Sequence, residues 1–281
     1  MSGYVQRFGP TALVVGASAT VGEQYARQLA ARGMDVVLVA RRAERLEEIA
    51  REIRAAHGVR ARVIALDLLQ EGALASLFEQ TRSLEIGYLV VNANLHKIND
   101  FDLLALETKR RIVQMNVMVP TLLCDHYGPL MTARGRGAVF LSSALNFLMG
   151  LEKDAVFQGS KAYLSIFAES LWLEYRKKGV AVCAGLFNGI EGSSSYEAKS
   201  SPATRKVMRA FGMSMPPERI VARCLEGVEK GEPLVIPDHP LPSARAAFLL
   251  TTVGKMVRSP RYSRFLSDLT LRLLNGEGLT R

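Results

Sequence analysis

Cysteine is scarce in this chain: Cys124, Cys183 and Cys224 are odd in number, far apart and in no C-x-x-C pair. Neither a disulfide framework nor a zinc site is signalled, and a reducing compartment is implied. Histidine is as sparse, and His57, His126 and His239 have no carboxylate or cysteine at ligand spacing, so no metal is expected. Residues 1–10 lack a basic-then-apolar leader, and no uncharged apolar run approaches the ~18 residues a membrane span needs. The expectation is a cytoplasmic protein. Glycine and proline are not enriched, no repeat is visible, and 48% of the residues are hydrophobic, which excludes disordered, collagen-like and low-complexity chains.

What the chain does have is positive charge, a formal +9 over 281 residues. Nucleic acid, an anionic membrane surface and an anionic cofactor could each account for it. Seven basic residues against two acidic ones leave +5 of that charge in residues 241–281. This segment reads as two amphipathic helices, 243–257 and 262–274, split by Pro260. A helical pair packed on the core or on a dimer partner is the favoured reading. A membrane-surface helix is less favoured, and nucleic acid is set aside because no recognition fold or aromatic-interleaved basic strip accompanies the charge. A homo-oligomer is expected.

Short apolar runs at 11–15, 35–40, 61–66, 88–91, 138–141 and 180–186 alternate with helical patterns at 44–57, 71–83, 108–132 and 155–178. Strands apolar throughout, each followed by a helix, imply a parallel sheet covered on both faces. The predicted fold is α/β, a doubly wound parallel sheet of the Rossmann-like type, as one domain over 1–240 with a helical extension over 241–281. Segment 188–216 reads as a lid, followed by a helix at 217–230 and a short strand at 234–236.

In such a sheet ligands bind beyond the carboxyl ends of the strands, where strand order reverses. The first turn, Gly16-Ala17-Ser18-Ala19-Thr20-Val21-Gly22, leaves a strand and opens a helix, whose free N–H groups and dipole suit a phosphate. The second strand ends in Ala40-Arg41-Arg42 rather than in the acidic residue that binds a ribose 2′-OH. Two guanidinium groups there favour a 2′-phosphate, hence NADP(H).

With these residues in place the chain resembles the short-chain dehydrogenase/reductase family over roughly 11–236. The resemblance rests on Gly16…Gly22, Asp67 after the third strand, Asn92-Ala93-Asn94 after the fourth, and Asn116 in a Met-Asn-Val context. Ser142-Ser143 at the fifth strand end and Ser160-Lys161-Ala162 in the next helix complete it. It implies a cofactor site of Gly16, Ser18, Thr20, Val21, Gly22, Arg41, Arg42, Asp67, Leu68, Asn92 and Lys161. It also implies a catalytic group of Ser143, Lys161 and Asn116, with Ser142 as the fallback serine; structural alternatives stay open, with Ser143 capping the strand end, Asn116 a structural helix residue and Lys161 holding the cofactor ribose.

The family's mechanism needs a tyrosine four residues before the lysine, where both side chains share one helix face and the ammonium lowers the phenol's pKa. Here that position is Phe157, which has no proton to give. Thr20 replaces a turn glycine, Asn94 the glycine of Asn-Ala-Gly, and Phe187-Asn188 a Pro-Gly. Tyr163 points about 120° away from Phe157 around the helix and is a poor substitute. Asp154 lies on the 154/157/161 stripe, His96 falls at the switch point, and Glu191 stands at the lid entrance. These are the surrogate acid–base candidates. Three functions stay open: an NADP(H)-dependent oxidoreductase acting on a carbonyl or hydroxyl of a mid-sized apolar small molecule; a cyclase, isomerase or dehydratase using Asp154, His96 or Glu191; and a catalytically silent NADP-binding protein.

Overall fold

The computed structural model describes residues 3–145, 150–187, 189–193, 201–203, 205–206 and 214–237. Its first layer is set by largely apolar strands. β1 (Thr11–Val15), β4 (Ile86–Val91) and β5 (Gly137–Ser143) are buried along their whole length, as expected of strands covered on both faces. With β2 (Asp35–Ala40), β3 (Ala61–Ala65), β6 (Val180–Leu186) and β9 (Leu234–Val235) they form one parallel sheet in the order β3-β2-β1-β4-β5-β6-β9. Chain direction along the sheet reverses between β1 and β4. The carboxyl ends of those two strands therefore bound the crevice in which ligands of such folds sit.

Alternation along each strand sends side chains to two separate cores. Val14, Leu38, Val90 and Phe140 pack beneath α2 (Thr20–Ala31), α3 (Ala43–His57) and α8 (Pro217–Lys230). Val15, Val39, Val91 and Leu141 pack beneath α6 (Val119–Arg134) and α7 (Ala155–Tyr175). The doubly wound architecture is as the apolar runs imply, and 11–15, 35–40, 180–186 and 217–230 fall where the sequence places them.

Other boundaries differ. A short α1 (Gly3–Phe8) precedes β1, and its Phe8 packs edge-on against Tyr88 of β4. Helix 71–83 shortens to α4 (Ala73–Thr81), begun by Gly72 in the left-handed region at φ 73°. The expected single helix 108–132 is α5 (Leu106–Val113) continued through a π-helical segment, Gln114–Met118, into α6. At the lid, β7 (Gly189–Ile190) pairs in parallel with β8 (Ser214–Met215), joining the two ends of the segment. Glu191 N–H also donates to the Met215 carbonyl at 3.0 Å. Asn188, His239 and the two expected helices of 241–281 lie outside the described residues. Among the described residues, no helix is long and apolar enough to cross a membrane.

Candidate active site

The glycine turn after β1 is held by backbone that leaves no room for side chains. Gly16 has φ 87°, and a Cβ there would come within 2.6 Å of the Ala93 nitrogen beyond β4. A Cβ on Gly22 would lie 2.1 Å from the Gly16 carbonyl oxygen, so the first turn of α2 can close onto β1 only with glycine at that point. Asn92 braces the arrangement by donating from Nδ2 to the Gly16 carbonyl at 3.3 Å. The N-cap of α2 is Ala19, which supplies no side-chain cap. The first-turn amides of Thr20, Val21 and Gly22, which have no carbonyl a turn behind them, therefore face the crevice without a side-chain acceptor.

The flanking residues divide into those that can face a ligand and those that cannot. Arg42 folds back over the turn: one Nη donates to the Ser18 carbonyl, and Nε lies 3.4 Å from Ser18 Oγ. Arg41 is exposed beside it. Asp67, half-buried, accepts the Leu69 N–H at 3.1 Å and so shapes the turn after β3. Val21 and Leu68, both expected at the cofactor, bury their side chains in the two cores and leave only backbone to the crevice.

At the other end of the crevice the expected catalytic residues are brought together, with one reoriented. Lys161, on α7, is buried and donates from Nζ to the Ser142 carbonyl at 2.9 Å. Removal from water pulls its ammonium down to about 8. The Phe157 ring stands one turn earlier, its centroid 5.3 Å from Nζ. Asn116 sits inside the π-helical segment with no exposed surface. Its Oδ1 accepts the Leu95 N–H at 2.8 Å, and its Nδ2 donates to the Leu95 carbonyl and to Ser160 Oγ, both at 3.0 Å. Both donors and the carbonyl oxygen of this amide are thus used to pin the segment after β4 against α7.

Ser143 takes the structural place at the strand end. Its hydroxyl donates to the Lys161 carbonyl at 3.0 Å and pairs with Ser165 Oγ at 2.9 Å, inside the β5–α7 packing. Strand alternation is the cause: residue 143 falls on the same face as Val139 and Leu141, which pack beneath α7. As placed, it fastens the strand end to the helix rather than reaching toward a substrate. Tyr163 is likewise turned away and bonds Thr121 Oγ1 at 2.8 Å.

The two other candidates meet. His96 Nε2 lies 2.9 Å from Asp154 Oδ1, and the imidazole stacks on Phe157 with centroids 3.9 Å apart and planes 24° from parallel. Asp154 is the residue before α7 and is 7% exposed, and its second oxygen accepts from Gln158 Nε2 at 2.7 Å. The Asn99 N–H donates to the Lys153 carbonyl at 2.9 Å and ties the two loops together, with Lys153 at φ 63° in the turn. Gln158 is the functional neighbour the sequence reading missed, although its i+4 spacing from Asp154 is legible. Glu191 is elsewhere, near Ser214 Oγ at 3.4 Å.

A sheet reversing direction at a glycine turn, with a buried lysine across the crevice, defines the dinucleotide-binding class of α/β proteins. Residues 10–197 match the family described as short chain dehydrogenase. A 7beta-hydroxysteroid dehydrogenase of Collinsella aerofaciens is 30% identical over 177 residues, covering 63% of this chain and 67% of its own. A solved structure from work on 7beta-hydroxysteroid dehydrogenase stereoselectivity superposes with a TM-score of 0.83 at 25% identity, over 95% of this chain and 99% of that one. A short-chain dehydrogenase from Sphingobium yanoikuyae in complex with NADPH gives 0.74 at 25% identity, over 90% and 97% of the two chains. The chain belongs to the short-chain dehydrogenase family, whose members bind nicotinamide cofactors.

Proposed function

We propose that the protein is an NADP(H)-dependent oxidoreductase that interconverts a hydroxyl and a carbonyl on a mid-sized, apolar, ring-containing substrate of the hydroxysteroid kind. The observation that carries the cofactor choice is Arg42. Its guanidinium lies against Ser18 at the end of β2, where an NAD-specific site needs a carboxylate. The residues fit the group. The uncapped amides of Thr20, Val21 and Gly22 would take the pyrophosphate, Arg41 and Arg42 the 2′-phosphate, and Asp67 and the Leu68 backbone the adenine side. Asn92 would line the floor. Lys161 would hold the nicotinamide ribose through its ammonium.

The cofactor, when bound, supplies or accepts hydride; the chain's own part is to orient it and to move a proton. The likeness to 7beta-hydroxysteroid dehydrogenases supports this choice of substrate class. The test is a fluorescence titration with NADPH and NADH, followed by turnover of a 7β-hydroxysteroid and of bulky aryl ketones. Preference for NADPH, lost in Arg42→Ala, together with turnover of at least one of these compounds, is the expected result. Equal affinity for the two cofactors would refute the 2′-phosphate assignment, and no binding of either would refute the oxidoreductase reading.

A further inference from the structure

We infer that His96, held by Asp154, is the acid–base catalyst of this site, in place of the phenol that Phe157 does not provide. The inference rests on the oxidoreductase reading above and deepens it. Three observations converge. The imidazole stacks on Phe157, the residue in the phenol's place, with centroids 3.9 Å apart. Its Nε2 is 2.9 Å from the carboxylate of a nearly buried Asp154 whose other oxygen is held by Gln158. The backbone before it is clamped on both sides, Leu95 N–H and C=O alike, by the buried Asn116 amide.

The chemistry follows from that geometry. A carboxylate can only accept, so it fixes the ring with Nε2–H toward Asp154 and leaves Nδ1 to exchange a proton. In the reducing direction the doubly protonated ring gives its Nδ1 proton to the carbonyl oxygen as that oxygen gains the electron pair displaced by hydride arriving at carbon. The ring becomes neutral, Nε2–H stays on Asp154, and the hydroxyl is formed. In the oxidising direction Nδ1 takes the hydroxyl proton as hydride leaves carbon, and Asp154 stabilises the resulting imidazolium. A carboxylate-oriented imidazole used in this way is a general acid–base unit found on unrelated folds. Its components here come from two loops that the sequence separates by 58 positions and the fold joins.

The experiment compares the wild type, His96→Gln, Phe157→Tyr and the double variant, with a 7β-hydroxysteroid and a bulky aryl ketone as probes. It reads NADPH affinity by fluorescence, single-turnover hydride transfer at saturating cofactor, and the solvent deuterium isotope effect. Expected is a loss of about 10²- to 10⁴-fold in transfer for His96→Gln with NADPH affinity unchanged, and recovery of at least part of it when Phe157→Tyr restores a phenol four residues before Lys161. Transfer retained in His96→Gln, or a loss that the added phenol does not relieve, overturns the assignment and leaves the oxidoreductase reading standing. A wild type that neither binds NADPH nor turns over either probe removes both. Independently of activity, a ¹⁵N-histidine NMR spectrum of the cofactor-free protein should show the neutral His96 ring protonated at Nε2; protonation at Nδ1 overturns the proposal.

Discussion

Replacing Lys161 with methionine should stabilise the cofactor-free protein at neutral pH, by an amount that vanishes in alkali. The ammonium is buried, has a backbone carbonyl as its hydrogen-bond partner, and is pulled from 10.5 to about 8 by loss of hydration. A displacement of that size corresponds to about 3 kcal/mol of preference for the neutral amine in the folded state. The Phe157 ring returns a fraction, about 1 kcal/mol for a desolvated cation over an aromatic face. Methionine fills the lysine stem's volume but removes the hydrogen bond to the Ser142 carbonyl, which costs about 1 kcal/mol more, so the variant should gain about 1 kcal/mol near pH 7. The sign of the pH dependence follows from the direction of the shift. The folded protein binds this proton more weakly than the unfolded chain, so wild-type stability rises from about pH 8 and levels off above the ordinary lysine value. Urea denaturation of both proteins from pH 7 to pH 11 reads the difference. An unchanged difference across that range, or a methionine variant less stable than wild type at pH 7, would refute the reasoning.

Three other outcomes follow from the same contacts. Gly22→Ala should lose about 3 kcal/mol or more in denaturant melts, since the added methyl meets the Gly16 carbonyl rather than a movable side chain; a loss below about 1 kcal/mol would show that the turn gives way. Asn116→Leu should cost about 2–4 kcal/mol, because it strands both the N–H and the C=O of Leu95, and should raise hydrogen exchange in the segment after β4; unchanged exchange there would argue against the clamp. Arg42→Ala should weaken NADPH more than NADH in fluorescence titration, and equal losses would mean the guanidinium only braces Ser18.

The strands and the cofactor turn were legible because their causes are local. A largely apolar run of five to seven residues admits little but a covered strand, and a glycine turn between strand and helix carries its own backbone requirement. The π-helical segment at Gln114–Met118 was not legible, since its apolar spacing fits an α-helix and only the pull of Asn116 toward Leu95 and Ser160 marks the extra residue. Ser143 was partly legible. Its family position suggested an open hydroxyl, whereas alternation with Val139 and Leu141 placed it beneath α7. The meeting of His96 with Asp154 needed the fold, because it depends on the loop after β4 and the start of α7 lying side by side.

Phe157 gains a physical role once these contacts are considered together. The ring has no proton to move, yet an imidazole stacks on it and an ammonium lies 5.3 Å from its centroid. Its negative face favours the charged form of Lys161 and so works against the desolvation that draws that charge down. Its flat surface also fixes the tilt of His96, which its hydrogen bond to Asp154 alone leaves free to rotate about the Nε2–Oδ1 line. Phenylalanine keeps the stacking and the cation contact and leaves proton exchange to the single ring nitrogen that Asp154 does not occupy.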